Sequence, residues 1–423
     1  MLLRLVLASV LLALLAARPA AAQESWSPDP KLLARAKALL AQVPVIDGHN
    51  DLPSAILGQG AGDLTRLDLA RPQPQLHTDL ARLKQGQVGA QFWAAYVTVD
   101  SIPAKAALRH ALREIDMVQR MTQRYAELEL ARTAADIERI QKAGKTASLI
   151  GVEGGHALEG SLSALREFHE LGVRYLTLTH SRTHEWADAS TDYPQHNGLS
   201  EFGEEVVREM NRLGIFVDLS HVSAETMKDA LRVSAAPVIF SHSSARALVD
   251  HPRNVPDDVL RLVPRNGGVV MVNFCPCFIA PNAVRWVEQR DSVREQLQRE
   301  LDSRAEIARR TREWLRAHPR PRGSVADVAD HIDHIRRVAG IDHVGLGSDF
   351  DGFDDTPVGL EDVSMFPNLI AELLRRGYSD EDVKKIAGLN LLRAMRQMEQ
   401  VAARLRAERP ASLADTAAAL SRN

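Results

Sequence analysis

Short apolar or β-branched runs alternate along this chain with longer amphipathic stretches rich in Ala, Leu, Glu and Arg. That is the pattern of buried strands separated by surface helices. The strand-like runs are VPVIDGH (43–49), GAQFWAAYV (89–97), TASLIGVE (146–153), VRYLTLTH (173–180), IFVDLSH (215–221), PVIFSHS (237–243), GGVVMVNF (267–274) and HVGLGSDF (343–350). Between them the spacing predicts helices over 107–128, 163–172, 201–214 and 224–234, several closing on a Gly suited to a helix C-cap. Eight such units predict an α/β fold, a (β/α)8 TIM-type barrel. An open doubly wound sheet would ordinarily bring a Gly-rich nucleotide loop after the first strand, and GHNDLP (48–53) is not one. Residues 283–320 read as a charged helical insertion between strands 7 and 8, and 366–408 as C-terminal helices. The expected division is one domain over 23–408, followed by a flexible tail over 409–423.

Composition narrows the function classes. A length of 423 residues suits one large barrel, and 45% hydrophobic with 25% charged residues is ordinary for a soluble protein. A net charge of −3 excludes a nucleic-acid field or a polybasic membrane patch. The first 22 residues carry Arg4, an apolar run from Leu5 to Ala17 and small residues Ala20 to Ala22. They read as a secretory signal peptide, so the expected location is periplasmic or secreted. The apolar run is shorter than the ~20 residues a membrane span needs, and no stable membrane anchor is expected. Only two cysteines occur, Cys275 and Cys277 in FCPCF. A single spacer makes a mutual bridge strained, so buried apolar thiols and no disulfide are expected.

The candidate chemistry sits where the strand-like runs stop. They end in His49-Asn-Asp51, Glu153, His180, His221, His242 and Asp349, six of the eight. In a barrel these ends converge on the face that carries the site. A lone His at a strand end is more often a satisfied structural residue, but six convergent ends are not explained that way. His49 and Asp51, two apart, project the same way from an extended chain and suit one ion. Glu153 has two oxygens and can bridge two ions. His221 and His242 supply imidazoles to the second, and N/O ligands without sulfur suit zinc. Two such ions about 3.5–4 Å apart can hold a hydroxide between them, which implies hydrolysis. His331 and His334, at helical spacing in DHIDHIRR, read as a packed helix face. His184, Glu185, Trp186 and Asp188 are expected to line the pocket.

At this point the chain resembles the membrane (renal) dipeptidase family of zinc peptidases, a branch of the amidohydrolase-like metal barrels. The stretches that carry the resemblance include IDGHNDLP (46–53), GVEGGHAL (151–158), DLSHVS (218–223), SHSSAR (241–246), RNVPDD (253–258) and GSDFDGF (347–353). Order and approximate spacing hold from about residue 30 to 398. The resemblance implies two zinc ions, one held by His49 and Asp51, the other by His221 and His242, with Glu153 between them. It implies that His180 contacts the scissile carbonyl or the oxyanion, that Arg253 pairs with the dipeptide carboxylate, and that Asp349 carries the proton. Tyr96 is a further substrate contact. No counterpart to the mammalian members' C-terminal lipid anchor or linking cysteines is expected, and the insertion 283–320 lies outside their pattern. The expected partners are small dipeptides, with a homodimer left open. Two other readings compete: a metal-dependent amidase or lactonase acting on another small substrate, and a catalytically retired surface-binding protein.

Overall fold

A computed structural model describes residues 26–415. The expected signal peptide, 1–22, lies outside them. Nine parallel strands form one sheet: β1 (Val45–Asn50), β2 (Val88–Tyr96), β3 (Leu128–Leu130), β4 (Thr146–Glu153), β5 (Val173–Thr177), β6 (Phe216–Asp218), β7 (Ile239–Phe240), β8 (Val269–Val272) and β9 (Val344–Leu346). The order β2-β1-β9-β8-β7-β6-β5-β4 closes through β2–β4 pairs from Ala90↔Ala147 to Tyr96↔Glu153, an eight-stranded barrel ringed by helices. The ninth strand, β3, was not anticipated. It continues the helical run 107–128 and pairs only with the start of β4, at Leu128↔Thr146 to Leu130↔Ser148. The rest of that edge pairs β5 from Ile150↔Val173 onward. The helices observed at Ala107–Arg124, Leu162–Leu171, Glu201–Leu213 and Ala224–Val233 match the expected spans closely. Gly172 (φ 107°) and Gly214 (φ 87°) close two of them in the left-handed conformation that glycine adopts without Cβ strain.

Inward side chains such as Ile46, Phe92, Leu149, Tyr175, Phe216 and Met271 fill the barrel, and Leu391, Met395 and Met398 of helix Asn390–Glu408 pack against the same cluster. The barrel is therefore a packed core, and chemistry is confined to its rim. The insertion forms two helices, Pro281–Glu300 and Arg304–Ala317, between β8 and β9, the seventh and eighth strands of the ring. Only Ala283 of the first is buried and no residue of the second, as their charge pattern predicts. They meet through Trp286 and Trp314, with ring centroids 5.6 Å apart.

One expectation is corrected. Cys275 and Cys277 are joined as a disulfide. Cys275 precedes a one-turn helix, Pro276–Ile279, and that turn brings the two Cα atoms to 5.3 Å, within bridging range. The start of the expected tail makes contacts with the barrel. The Arg409 guanidinium donates to the Arg208 carbonyl, Arg166 Nη1 donates to the Ser412 carbonyl at 2.9 Å, and Asp415 bridges Ser161. Residues 416–423 lie outside the described part. His331 and His334 are packed as expected: His331 Nδ1 accepts from Ala245 N at 2.9 Å, and His334 Nε2 is 2.7 Å from Asp257 Oδ1. Among the described residues no helix is long and apolar enough to cross a membrane.

Candidate metal centre and substrate cavity

All the expected site residues gather at one rim of the barrel. Tyr96 ends β2 and Glu153 ends β4, directly paired. His49 lies on β1, and Asp51 has already turned (φ −91°, ψ 18°) to cap the helix Leu52–Gln59. The common extended projection expected for His49 and Asp51 is thus replaced by a turn, yet Asp51 Oδ2 still lies 3.2 Å from His49 Nε2. His180, His221, His242 and Asp349 stand just beyond β5, β6, β7 and β9 instead of within them. Off the ladder their backbones are free to take other conformations. His221 (φ 71°) and Asp349 (φ 64°) are left-handed, a cost of roughly 1–3 kcal/mol each that clusters at functional sites.

Glu153 sits at the centre. Its Oε1 is 2.9 Å from His221 Nε2 and 3.4 Å from His242 Nε2, while Oε2 is 3.7 Å from His49 Nε2. Three overlapping groups result, each with ligand-type atoms within 4.8 Å: His49–Glu153–His242, Glu153–His180–His221 and His49–Asp51–Asp349. The grouping differs in two details from the expected pairs. His242 also adjoins His49, and His180 stands among ligand-type atoms beside His221. The donor set fits a metal. His49 Nε2 is buried without a hydrogen bond, and the Nε2 atoms of His221 and His242 face each other at 2.9 Å.

The outer ring nitrogens are held from behind. His49 Nδ1 lies 2.8 Å from Tyr175 Oη, and that ring fits only because residue 151 is glycine, where a Cβ would stand 1.9 Å from Tyr175 Cζ. The Ser241 hydroxyl donates to Asp218 Oδ2 at 2.7 Å, so it accepts from His242 Nδ1 at 2.8 Å. This network assigns the His242 lone pair to Nε2, facing Glu153. Burial pushes the Glu153 carboxyl up to about 8 and Asp349 up to about 7. Burial, reinforced by Arg253, pushes His180 down to about 3. Burial likewise holds His221 and His242 well below the imidazole range. It opposes the His49 cation too, but Glu153 and Asp51 outweigh it and raise His49 to about 10. Carboxyls at Glu153 and Asp349 that resist ionisation, beside imidazoles at His180, His221 and His242 that resist protonation, are an arrangement a bound dication relieves.

One cavity of about 450 Å³ is lined by Asp51, Tyr96, Glu153, His180, His221, His242, Arg253 and Asp349, with His49 fully buried behind it. Arg253 is inside. Its guanidinium lies 3.3 Å from the His242 carbonyl and 5.3 Å over the Phe278 ring. Asp257 and Asp258 pair with His334 and Lys228 instead. The Tyr96 ring meets that of His180 edge-on at 4.9 Å. His184, Glu185, Trp186 and Asp188, expected to line the pocket, do not line this cavity. Asp188 accepts from the backbone of Gln195, His196 and Gly198 and braces the loop after β5, with Trp186 fully buried.

Several residues escaped the sequence reading. Asn273 Nδ2 donates to Asp349 Oδ2 at 2.8 Å, and Cys275, Cys277 and Phe278 form part of the cavity wall. Asp218, in DLSH, and Tyr175, in YLTLTH, are polar residues within strand runs, the one signal that pointed to them. Glu114 is a further one, buried on helix Ala107–Arg124 behind Ser54, and burial pushes its carboxyl from 4.5 up to about 8. The folded state therefore keeps this proton where the unfolded chain has lost it, so stability falls as pH rises from about 4.5 to about 8. Glu114→Gln is expected to remove that loss, on the order of 4 kcal/mol at pH 8 and little at pH 4.5. Denaturant unfolding of both proteins at the two pH values checks this, and a gap that does not widen with pH contradicts it.

A family model described as membrane dipeptidase (peptidase family M19) matches residues 33–409. Dipeptidase 3 of Mus musculus is 42% identical over 382 residues, 88% of this chain and 68% of that protein. Dipeptidase verJ of Clonostachys rogersoniana is 41% identical over 385 residues, 88% of this chain and 89% of that one. Among solved structures, the metallo peptidase from Rhodobacter sphaeroides liganded with a phosphinate mimic of the dipeptide L-Ala-D-Ala superposes with a TM-score of 0.70 at 27% identity, covering 84% of this chain and 99% of that one. The probable dipeptidase PvdM from Pseudomonas aeruginosa gives a TM-score of 0.77 at 25% identity, covering 88% and 99%. With its fold, its His/Asp/Glu cradle and a match over nearly all of its described length, this chain belongs to the membrane dipeptidase family, peptidase family M19.

Proposed function

We propose that this chain is a zinc-dependent dipeptidase that hydrolyses free dipeptides outside the cytoplasm, the location resting on its leader-like residues 1–22. The observation that carries the reading is a buried guanidinium, Arg253, in the same cavity as the metal cradle. A planar cation there can clamp a carboxylate bidentately, and the cavity of about 450 Å³ accommodates a short substrate. His49 and Asp51 would hold one zinc and His221 and His242 the other, with Glu153 between the two sets. Bound there, the ions supply Lewis acidity for activating water and polarising the carbonyl.

The chain's own groups do the rest. Asp349 accepts the proton of the attacking water and delivers it to the leaving amine. The Asn273 amide fixes which oxygen does this by engaging the other one, Oδ2. His180, kept neutral by burial, hydrogen-bonds the carbonyl oxygen as charge develops on it. Tyr96 borders the substrate beside His180. The Rhodobacter sphaeroides enzyme holds a mimic of L-Ala-D-Ala, and we extend acceptance of a C-terminal D-residue to this chain.

A stereochemically complete dipeptide library, with amidated dipeptides and β-lactams alongside, tests the reading. Free dipeptides are expected to be turned over and amidated ones to be poor substrates. Arg253→Met is expected to cut kcat/KM for free dipeptides roughly 10- to 100-fold, the loss of a charged hydrogen bond of about 1.5–3 kcal/mol. Equal rates on free and amidated dipeptides, with Arg253→Met unimpaired, point to a general amidase or lactonase instead.

A further inference from the structure

We propose that the Cys275–Cys277 disulfide is a positioning element of this site, holding Asp349 and Arg253 through one pinned turn; this rests on the roles given to those two residues above. The turn is the helix Pro276–Ile279, a single turn with Phe278 N bonded to the Cys275 carbonyl at 2.9 Å. A helix this short has no stability of its own, because nucleation costs more than its few hydrogen bonds return. The bridge closes across its first residues and is the covalent constraint on the turn.

Two arms leave the turn. On one side, Cys275 N donates to Asn273 Oδ1 at 2.5 Å, which orients the amide so that its Nδ2 donates to Asp349 Oδ2 at 2.8 Å. On the other side, the Phe278 ring lies 5.3 Å beneath the Arg253 guanidinium, and the Phe278 carbonyl accepts from Asn254 Nδ2 at 2.9 Å. The disulfide thus sits between the proton carrier and the carboxylate clamp, in the wall of the cavity they share. Cys275 is buried and Cys277 half-buried, so a small reductant reaches the bridge from the cavity side. The chain has two cysteines in all, so opening the bridge leaves no third thiol to reshuffle with.

The test compares oxidised wild-type protein, wild type treated with a trialkylphosphine, and the double variant Cys275→Ser/Cys277→Ser. The phosphine breaks the S–S bond, gives two thiols with hydrogens from water and leaves as its oxide. The double variant treated with phosphine controls for removal of metal, which is assayed in every sample. Reduction and the double variant are each expected to lower kcat/KM for free dipeptides roughly 10- to 100-fold, the scale of a misplacement of about 1 Å. The acid limb of kcat is expected to move, and reoxidation to restore both. Asn273→Ala is expected to reproduce the kcat part and to be non-additive with the double variant. A bridge with only a structural role lowers the unfolding midpoint and leaves kcat/KM and the pH profile unchanged, which overturns the proposal. Hydrogen exchange at the Cys275 amide reads the same link without substrate and is expected to quicken on reduction. Oxidised protein that hydrolyses no dipeptide sinks the dipeptidase reading, whereas unchanged exchange on reduction sinks the positioning role.

Discussion

Asp349→Asn is expected to keep most of its metal and to lose roughly 10²–10⁴ in turnover, the range that general acid–base catalysis contributes. The asparagine side chain has the same shape and presents an oxygen to Asn273 Nδ2, so the hydrogen bond now at 2.8 Å survives. What it cannot do is take up a proton. Burial pushes the Asp349 carboxyl up to about 7, and this group acts as a base only when ionised, so turnover falls as the medium becomes more acid than that value. Bound dications favour the carboxylate, which places the acid limb of the loaded enzyme below pH 7. The kcat–pH profile and metal analysis of wild type and variant check this together. Wild-type turnover in the variant removes Asp349 from the mechanism.

Glu153→Gln is expected to lower the content of both metal ions together and to abolish activity, as chelation of the wild type is. The two carboxylate oxygens face different partners, Oε1 toward His221 and His242 and Oε2 toward His49. Glutamine keeps one acceptor and turns the other position into a donor, which repels a cation. About two zinc ions per chain are expected before the change, as in two-metal hydrolases. Each single-ligand variant, such as Asp51→Asn, is expected to disturb one ion more than the other. A Glu153→Gln protein that retains both ions and full activity refutes the shared-ligand role.

Local signals carried much of this site. Strand-like runs ending in His, Glu or Asp named seven residues, His49, Asp51, Glu153, His180, His221, His242 and Asp349, because a buried strand that stops on a metal-binding side chain is locally anomalous. Arg253 and Tyr96 came through family resemblance, since nothing in RNVPDD or FWAAY marks a buried guanidinium or a cavity-lining phenol. The charged stretch 283–320 read as a helical insertion, and the structure divides it into two helices, Pro281–Glu300 and Arg304–Ala317. The cysteine pair misled, because spacing alone carries no information about the turn that brings residues 275 and 277 within reach.

The sequence by itself determined the alternation of strand and helix, the α/β class, and the residue types that close each strand, since all of these follow from burial and polarity of single segments. Only the tertiary structure decided how the segments meet. Closure through β2–β4 sets Tyr96 against Glu153, and the register of β4 with β5 and of β1 with β9 brings His49, residues beyond β9 and the Tyr175 hydroxyl together. It also left β3 outside the ring, turned Arg253 into the cavity and linked Cys275 to Asp349 through Asn273. These contacts join residues far apart in the chain. Their geometry is fixed by strand stagger around a closed barrel, a property of the whole ring that no local period records.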